Sequence, residues 1–243
     1  MKRHSYSNHF VIFPDSWVER EWSETKGYRI DPSVVADKLR LALRKARDER
    51  DMQAFFEDYP QALPELQFYH NGPRGGLVIS KLPLGQDFIC DFAYASENSK
   101  CVQFTCVEIE SPTKRLFNKD GSFTSDYCHA RQQIADWNTW GQQNLRLVCG
   151  AFDRIGDLAY PKTYTVRLEC ILIMGRRSEL NTIKRKQRWS AENALRQASM
   201  HVMTYDRLID ELENGFRVWT QRMLVCHYAD RALQVKQISK LAT

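Results

Sequence analysis

From Val34 to about Tyr59 the apolar side chains fall at helical spacing among many charges: Val35, Leu39, Ala42, Leu43 and Ala46, then Phe55 and Phe56. That period predicts one long amphipathic helix stopped by Pro60, with a break near Asp48 to Arg50 as the alternative. A Gly72-Pro73-Arg74-Gly75-Gly76 turn leads into a strand from Leu77 to about Leu82 and a second turn at Pro83-Leu84-Gly85. Alternating segments over about Asp87 to Ala95 and Val102 to Glu110, joined by the polar run Ser96-Glu97-Asn98-Ser99-Lys100, then read as a hairpin. A polar loop continues to Asp126, and residues 127–141 show a helical stripe of Ala130, Ile134 and Trp137. Strands are predicted for Leu145 to Ala151 and for Tyr164 to Met174. From Val166 to Met174 the second is apolar except for Arg167 and Glu169, as a central strand should be. A basic stretch with a short helix, a strand near His201-Val202-Met203 and a helix from Tyr205 to Glu213 complete the pattern.

These elements suggest a layout of three parts. Residues 1–33, with Phe10, Phe13, Trp17 and Trp22, read as an extension packed on the core. Residues 34–215 form the α/β domain. Residues 216–243 follow as an appendage whose Phe216, Val218, Trp219, Met223, Leu224 and Val225 need a surface to bury against, in their own domain or in a second copy.

Composition narrows the class. With 43% hydrophobic and 27% charged residues over 243 positions, the chain has the balance of an ordinary globular protein able to bury a core. No apolar run reaches the length of a membrane span and the first residues lead into no signal-peptide core, so a cytoplasmic protein is expected. Cys90, Cys101, Cys106, Cys128, Cys149, Cys170 and Cys226 are odd in number, scattered and without a Cys-x-x-Cys pair, a pattern of buried thiols. The net charge of +5 permits a nucleic-acid partner without demanding one. No phosphate loop of the Gly-x-x-x-x-Gly-Lys kind occurs, which argues against a nucleotide cofactor.

The hairpin carries the candidate chemistry. Asp91 lies in its first strand, and the second ends Val107-Glu108-Ile109-Glu110-Ser111-Pro112. Strand side chains alternate, so Glu108 and Glu110 share a face roughly 7 Å apart. Acidic groups gathered where a core wants none suit a hard cation, for which Asp91, Glu108 and the Ile109 carbonyl are candidate oxygen ligands. A solvated strand edge is the competing explanation.

At this point the sequence resembles a family. Phe55-Phe56-Glu57-Asp58-Tyr59-Pro60, Asp91-Phe92, Val107-Glu108-Ile109-Glu110-Ser111-Pro112 and His129-Ala130-Arg131-Gln132-Gln133-Ile134-Ala135-Asp136-Trp137, with Thr204-Tyr205-Asp206-Arg207-Leu208 after the last strand, stand in the order seen in nucleases of the PD-(D/E)xK type. More narrowly, they look like the nuclease domain of the Shedu anti-phage defence proteins, over about residues 35 to 215. The resemblance implies an α/β, restriction-endonuclease-like three-layer core with a mixed β-sheet flanked by helices. It also implies Mg²⁺-dependent (or Mn²⁺-dependent) hydrolysis of DNA in antiviral defence, and homo-oligomerisation.

Residue by residue, the resemblance makes Asp91 and Glu108 the metal-binding carboxylates with the Ile109 carbonyl as third ligand, and gives Gln133 a supporting part. Lys114, Arg115, Lys119 and Arg131 become candidate contacts to flanking phosphates. One position departs from the pattern: Glu110 stands where the family has lysine. Three consequences are open. Glu110 helps hold a second metal ion, a cation from elsewhere such as Lys114 or Arg131 supplies the charge, or the site no longer cuts and the chain is an inactive module that binds nucleic acid or a partner.

Overall fold

Asp48 decides where the first helical stretch divides. Its extended backbone (φ −144°) and its carboxylate, which accepts from the Arg50 and Asp51 amides, cap a new helix and leave the chain in two pieces. These are α1, Pro32–Lys45, and α2, Glu49–Asp58. The computed structural model describes residues 4–5, 11–12, 32–64, 77–86, 88–97, 101–149, 165–194, 199–214, 224–229 and 232–236. The expectations for Phe10, Phe13, Trp17, Trp22, the turn over 72–76 and most of the apolar run from Phe216 to Met223 lie outside these residues.

The strands are β1 (Leu77–Leu84), β2 (Phe88–Glu97), β3 (Cys101–Ile109), β4 (Thr165–Ile173), β5 (Met200–Met203), β6 (Leu224–Ala229) and β7 (Ala232–Lys236). The longer helices that follow β3 are α3 (Ser125–Gln143), α4 (Ile183–Ala194) and α5 (Tyr205–Asn214). The strands form one mixed sheet in the order β5-β4-β3-β2-β1-β6-β7. The pairs β1–β2, β2–β3 and β6–β7 are antiparallel, while β3–β4, β4–β5 and β1–β6 are parallel. The stretch after residue 216 thus supplies two strands to the same sheet.

Alternation along the strands builds two cores, one on each face of the sheet. Phe104 and Cys106 of β3 and Leu168, Cys170 and Leu172 of β4 pack with Tyr127, Ala130, Ile134 and Trp137 of α3. Val107, Ile109, Ile171 and Ile173 face the other way, against Leu39, Phe56 and Leu208 of α1, α2 and α5. This is the three-layer α/β core with a mixed sheet that the resemblance implied. Cys90, Cys106 and Cys170 are buried free thiols, and burial pushes the Cys90 and Cys170 thiols well up.

Two local expectations are corrected. Residues 145–149 form a helical turn rather than a strand, following Asn144 at the end of α3; Leu145, Leu147 and Val148 are too short an apolar run to fix a period. Pro83 and Leu84 belong to β1, not to a turn. Pro83 pairs with Ile89 beyond residues 77–80, where β6 takes the other side, so its missing N–H breaks no ladder there. The turn itself sits at Gly85, whose φ is +70°.

Gly175, just past β4, couples this frame to the loop behind β3. Its φ is +71°, and a methyl group there would lie 2.4 Å from Leu116 Cγ. Gly175→Ala is expected to cost about 2–4 kcal/mol from left-handed strain and overpacking together. Urea unfolding would check this, and a loss below about 0.5 kcal/mol would contradict it.

Candidate functional site

Register brings the site together. Phe92 pairs with Val107, so one further step places Asp91 opposite Glu108. On the other side of β2, Ser80 pairs with Phe92 and Leu82 with Cys90, which places Lys81 opposite Asp91. A cross-strand row of Lys81, Asp91 and Glu108 therefore runs over three strands and ends at Leu172, the β4 partner of Glu108.

Asp91 and Glu108 share the parity of Ala93, Phe104 and Cys106, the residues that face α3. From α3, Gln133 Nε2 donates to Glu108 Oε1 at 2.8 Å. Asp91 Oδ2 accepts from the Ile109 amide at 2.8 Å, and its other oxygen accepts from the Lys81 ammonium. The Glu110 amide donates to Ile173 on β4. The Ile109 carbonyl, antiparallel to that N–H in the same planar peptide, points the opposite way, to the side where Asp91 lies. Asp91 and Glu108 thus meet at one point, with the Ile109 amide held against Asp91.

That point is dry. Asp91 is 4% exposed, Glu108 8% and Glu110 6%. Burial first, and the neighbouring Asp91 carboxyl second, push Glu108 up to about 10, so at neutral pH it holds a proton. A divalent cation between the two groups would favour loss of that proton. Among the described residues no three or more His, Cys, Asp or Glu side chains gather as a ready-made ligand set. The candidate donors are two carboxyl groups and the main-chain carbonyl that the resemblance implies.

Glu110 leaves β3 at the rim. Its carboxylate meets Lys114 Nζ at 2.5 Å, and its carbonyl accepts from the buried Tyr205 hydroxyl at 2.5 Å. Lys114 therefore answers Glu110. Arg131 is turned to Glu192 on α4. Arg115 and Lys119 are exposed on the loop after β3, a loop held by the Glu179 carboxylate on the Leu116 amide and by Lys184 on the Asp120 carbonyl. His129 is exposed, and Trp137 is fully buried core.

Lys81 and Glu49 were not picked out from the sequence. Glu49 opens α2 and lies 3.9 Å from Lys81 Nζ; burial, then Asp91, hold its carboxyl above the ordinary range. The signal for Glu49 was available in Asp48, a capping residue directly before it, but the partner it faces is tertiary. Glu57, about two turns further along α2, accepts from Ser80 Oγ at 2.7 Å. No helix among the described residues is long and apolar enough to cross a membrane.

A family model described as Shedu protein SduA, C-terminal, matches residues 46–209, a span holding every residue of this site. No curated protein matches the chain. The match takes in well over half of the chain, from the break before α2 to α5, and the chain belongs to the Shedu family.

Proposed function

We propose that this protein is a metal-dependent nuclease that hydrolyses phosphodiester bonds of DNA in defence against phage. Its centre is of the PD-(D/E)xK kind, formed by Asp91, Glu108 and the Ile109 carbonyl, and it works in the cytoplasm as a homo-oligomer. Family membership supports the link to defence. The observation that carries the chemistry is the buried Asp91–Glu108 pair, in which Glu108 keeps a proton that a cation would replace. A structural core gains nothing from two carboxyl groups held face to face out of water.

The donor set is all oxygen, which fits Mg²⁺ or Mn²⁺. Such an ion, when bound, polarises the scissile phosphate and the attacking water. The chain's own residues do the rest. Gln133 fixes the orientation of Glu108, and the Ile109 amide fixes Asp91. Arg115 and Lys119, exposed on the loop that follows β3, hold flanking phosphates, with Lys114 on Glu110. Two of these cations are already paired, Lys114 with Glu110 and Arg131 with Glu192.

A second reading, a non-catalytic nucleic-acid-binding module, has one observation in its favour: Asp91 and Glu110 each already carry a lysine. Incubating the purified protein with supercoiled, linear and single-stranded DNA in Mg²⁺ or Mn²⁺ separates the two. Cleavage that disappears in Glu108→Ala supports the nuclease. Salt-sensitive binding without cleavage of any substrate supports the module.

A further inference from the structure

Lys81 is the only residue other than glycine among those described whose φ is positive, at 56°. It sits inside a strand, where an L side chain in that conformation stores strain of about 1–3 kcal/mol. No residue is inserted to explain it, since Ser80–Phe92 and Leu82–Cys90 keep the same register on either side. The alternation of faces nevertheless slips there: Ile79 and Leu82, three residues apart, pack into the same core. The twist delivers the Lys81 ammonium to the Asp91 carboxylate. The lysine side chain is 39% exposed while that of Asp91 is 5% exposed, so solvent reaches the lysine but hardly reaches the carboxylate it pairs with.

We propose that Lys81 is the cation that works on the substrate phosphate at this centre: its left-handed backbone holds it on Asp91 in the metal-free protein, and a divalent cation bound to that carboxylate frees it for the phosphate oxygens. The inference rests on reading the Asp91–Glu108 pair as a cation-binding nuclease centre. It also answers the question raised by Glu110. Of the cations named from the sequence, Lys114 is on Glu110 and Arg131 is on Glu192, carboxylates outside the proposed donor set, whereas the partner of Lys81 is Asp91, the carboxylate that a bound cation would neutralise. Lys81 stands in the catalytic row itself.

Hydrolysis forms one bond from phosphorus to the water oxygen and breaks one to the leaving oxygen. The water's proton passes to solvent, and the leaving oxygen takes one from it. Lys81 keeps its protons throughout and answers the charge on the phosphoryl oxygens as a hydrogen-bond donor.

The test compares Lys81→Met, Lys81→Arg and Lys81→Gly with the unaltered protein in two assays, calorimetric Mg²⁺ binding and DNA cleavage. Glycine adopts the left-handed backbone without strain, so Lys81→Gly keeps the conformation and removes only the charge. The expected result is opposite movement of the two readouts. Without a lysine to displace, Mg²⁺ binds Lys81→Met and Lys81→Gly roughly tenfold more tightly, while cleavage falls by about a hundredfold or more. Lys81→Arg recovers part of the cleavage. A merely structural role would weaken both readouts and would spare Lys81→Gly. Unchanged Mg²⁺ affinity in Lys81→Gly, or cleavage within about threefold of the unaltered protein, would overturn the proposal. If the unaltered protein cuts no DNA, the nuclease reading fails by itself, and the Mg²⁺ arm still decides whether Lys81 competes for Asp91.

Discussion

Replacing Glu108 by alanine is expected to reduce metal-dependent DNA cleavage by at least about a hundredfold to a thousandfold, the loss seen when a group that organises transition-state charge is removed. The fold should survive, because Glu108 is a cost to stability rather than a support. Its carboxyl is raised from 4.5 to about 10 in the folded protein. For a group whose folded pKa lies above the unfolded one, the stabilising contribution is complete below the unfolded value and declines as pH rises through the folded value. The window here runs from about pH 4.5 to about pH 10. By pH 7 the decline amounts to as much as about 3 kcal/mol, at roughly 1.4 kcal/mol for each unit. Glu108→Gln keeps the shape and the hydrogen bond to Gln133 without that penalty. Its thermal midpoint should therefore exceed that of the unaltered protein at pH 8, with the gap narrowing towards pH 5. Cleavage retained in Glu108→Ala would remove the proposed centre. A Glu108→Gln variant less stable than its parent at pH 8 would show that the carboxyl supports the fold.

The largest effect on stability is expected at Phe56, where truncation to alanine should cost about 3–5 kcal/mol. Phe56 is fully buried, edge-on to Phe92 at 5.9 Å between ring centroids and stacked with Tyr205 at 6.4 Å. It therefore joins α2, β2 and α5 through aromatic contacts. Tyr205 in turn donates to the Glu110 carbonyl, so loosening this cluster also loosens the end of β3. For a chain of this size the loss corresponds to a fall in thermal midpoint on the order of 10 °C. Leu41→Ala on α1, where the side chain is exposed, is the control and should be nearly silent. A change at Phe56 no larger than at Leu41 would mean that α2 is not docked on the sheet through this ring.

The difference between what could and could not be read from the sequence follows the range of the interactions. Asp91 facing Glu108 was legible because strand alternation and a short hairpin fix both residues locally. The helix that carries Gln133 was legible from its stripe of Ala130, Ile134 and Trp137, but Gln133 itself was singled out only by the family resemblance. Lys81 was not, since its place in the row depends on the β1–β2 register and on a backbone conformation that no local pattern announces for lysine. Glu49 was hidden differently: Asp48 marks the start of α2, but which side of the sheet that helix end approaches is a matter of packing. The strands Leu224–Ala229 and Ala232–Lys236 add to the sheet beside β1, a parallel pairing across well over a hundred residues that periodicity does not reveal. Glu169, which marred an otherwise apolar central strand, is explained by Gln103 and His201 on the two neighbouring strands, both of which bond to its carboxylate.

The central claim is that Asp91 and Glu108 form a divalent-cation site in which Glu108 holds a proton until the cation arrives. Calorimetric titration of Mg²⁺ into the protein at pH 7, in two buffers of different ionisation enthalpy, measures that proton directly. The account predicts release of about one proton for each cation bound, and weakened binding with no proton release in Glu108→Gln. Mg²⁺ binding that releases no proton, or that is indifferent to Glu108→Gln, would contradict it.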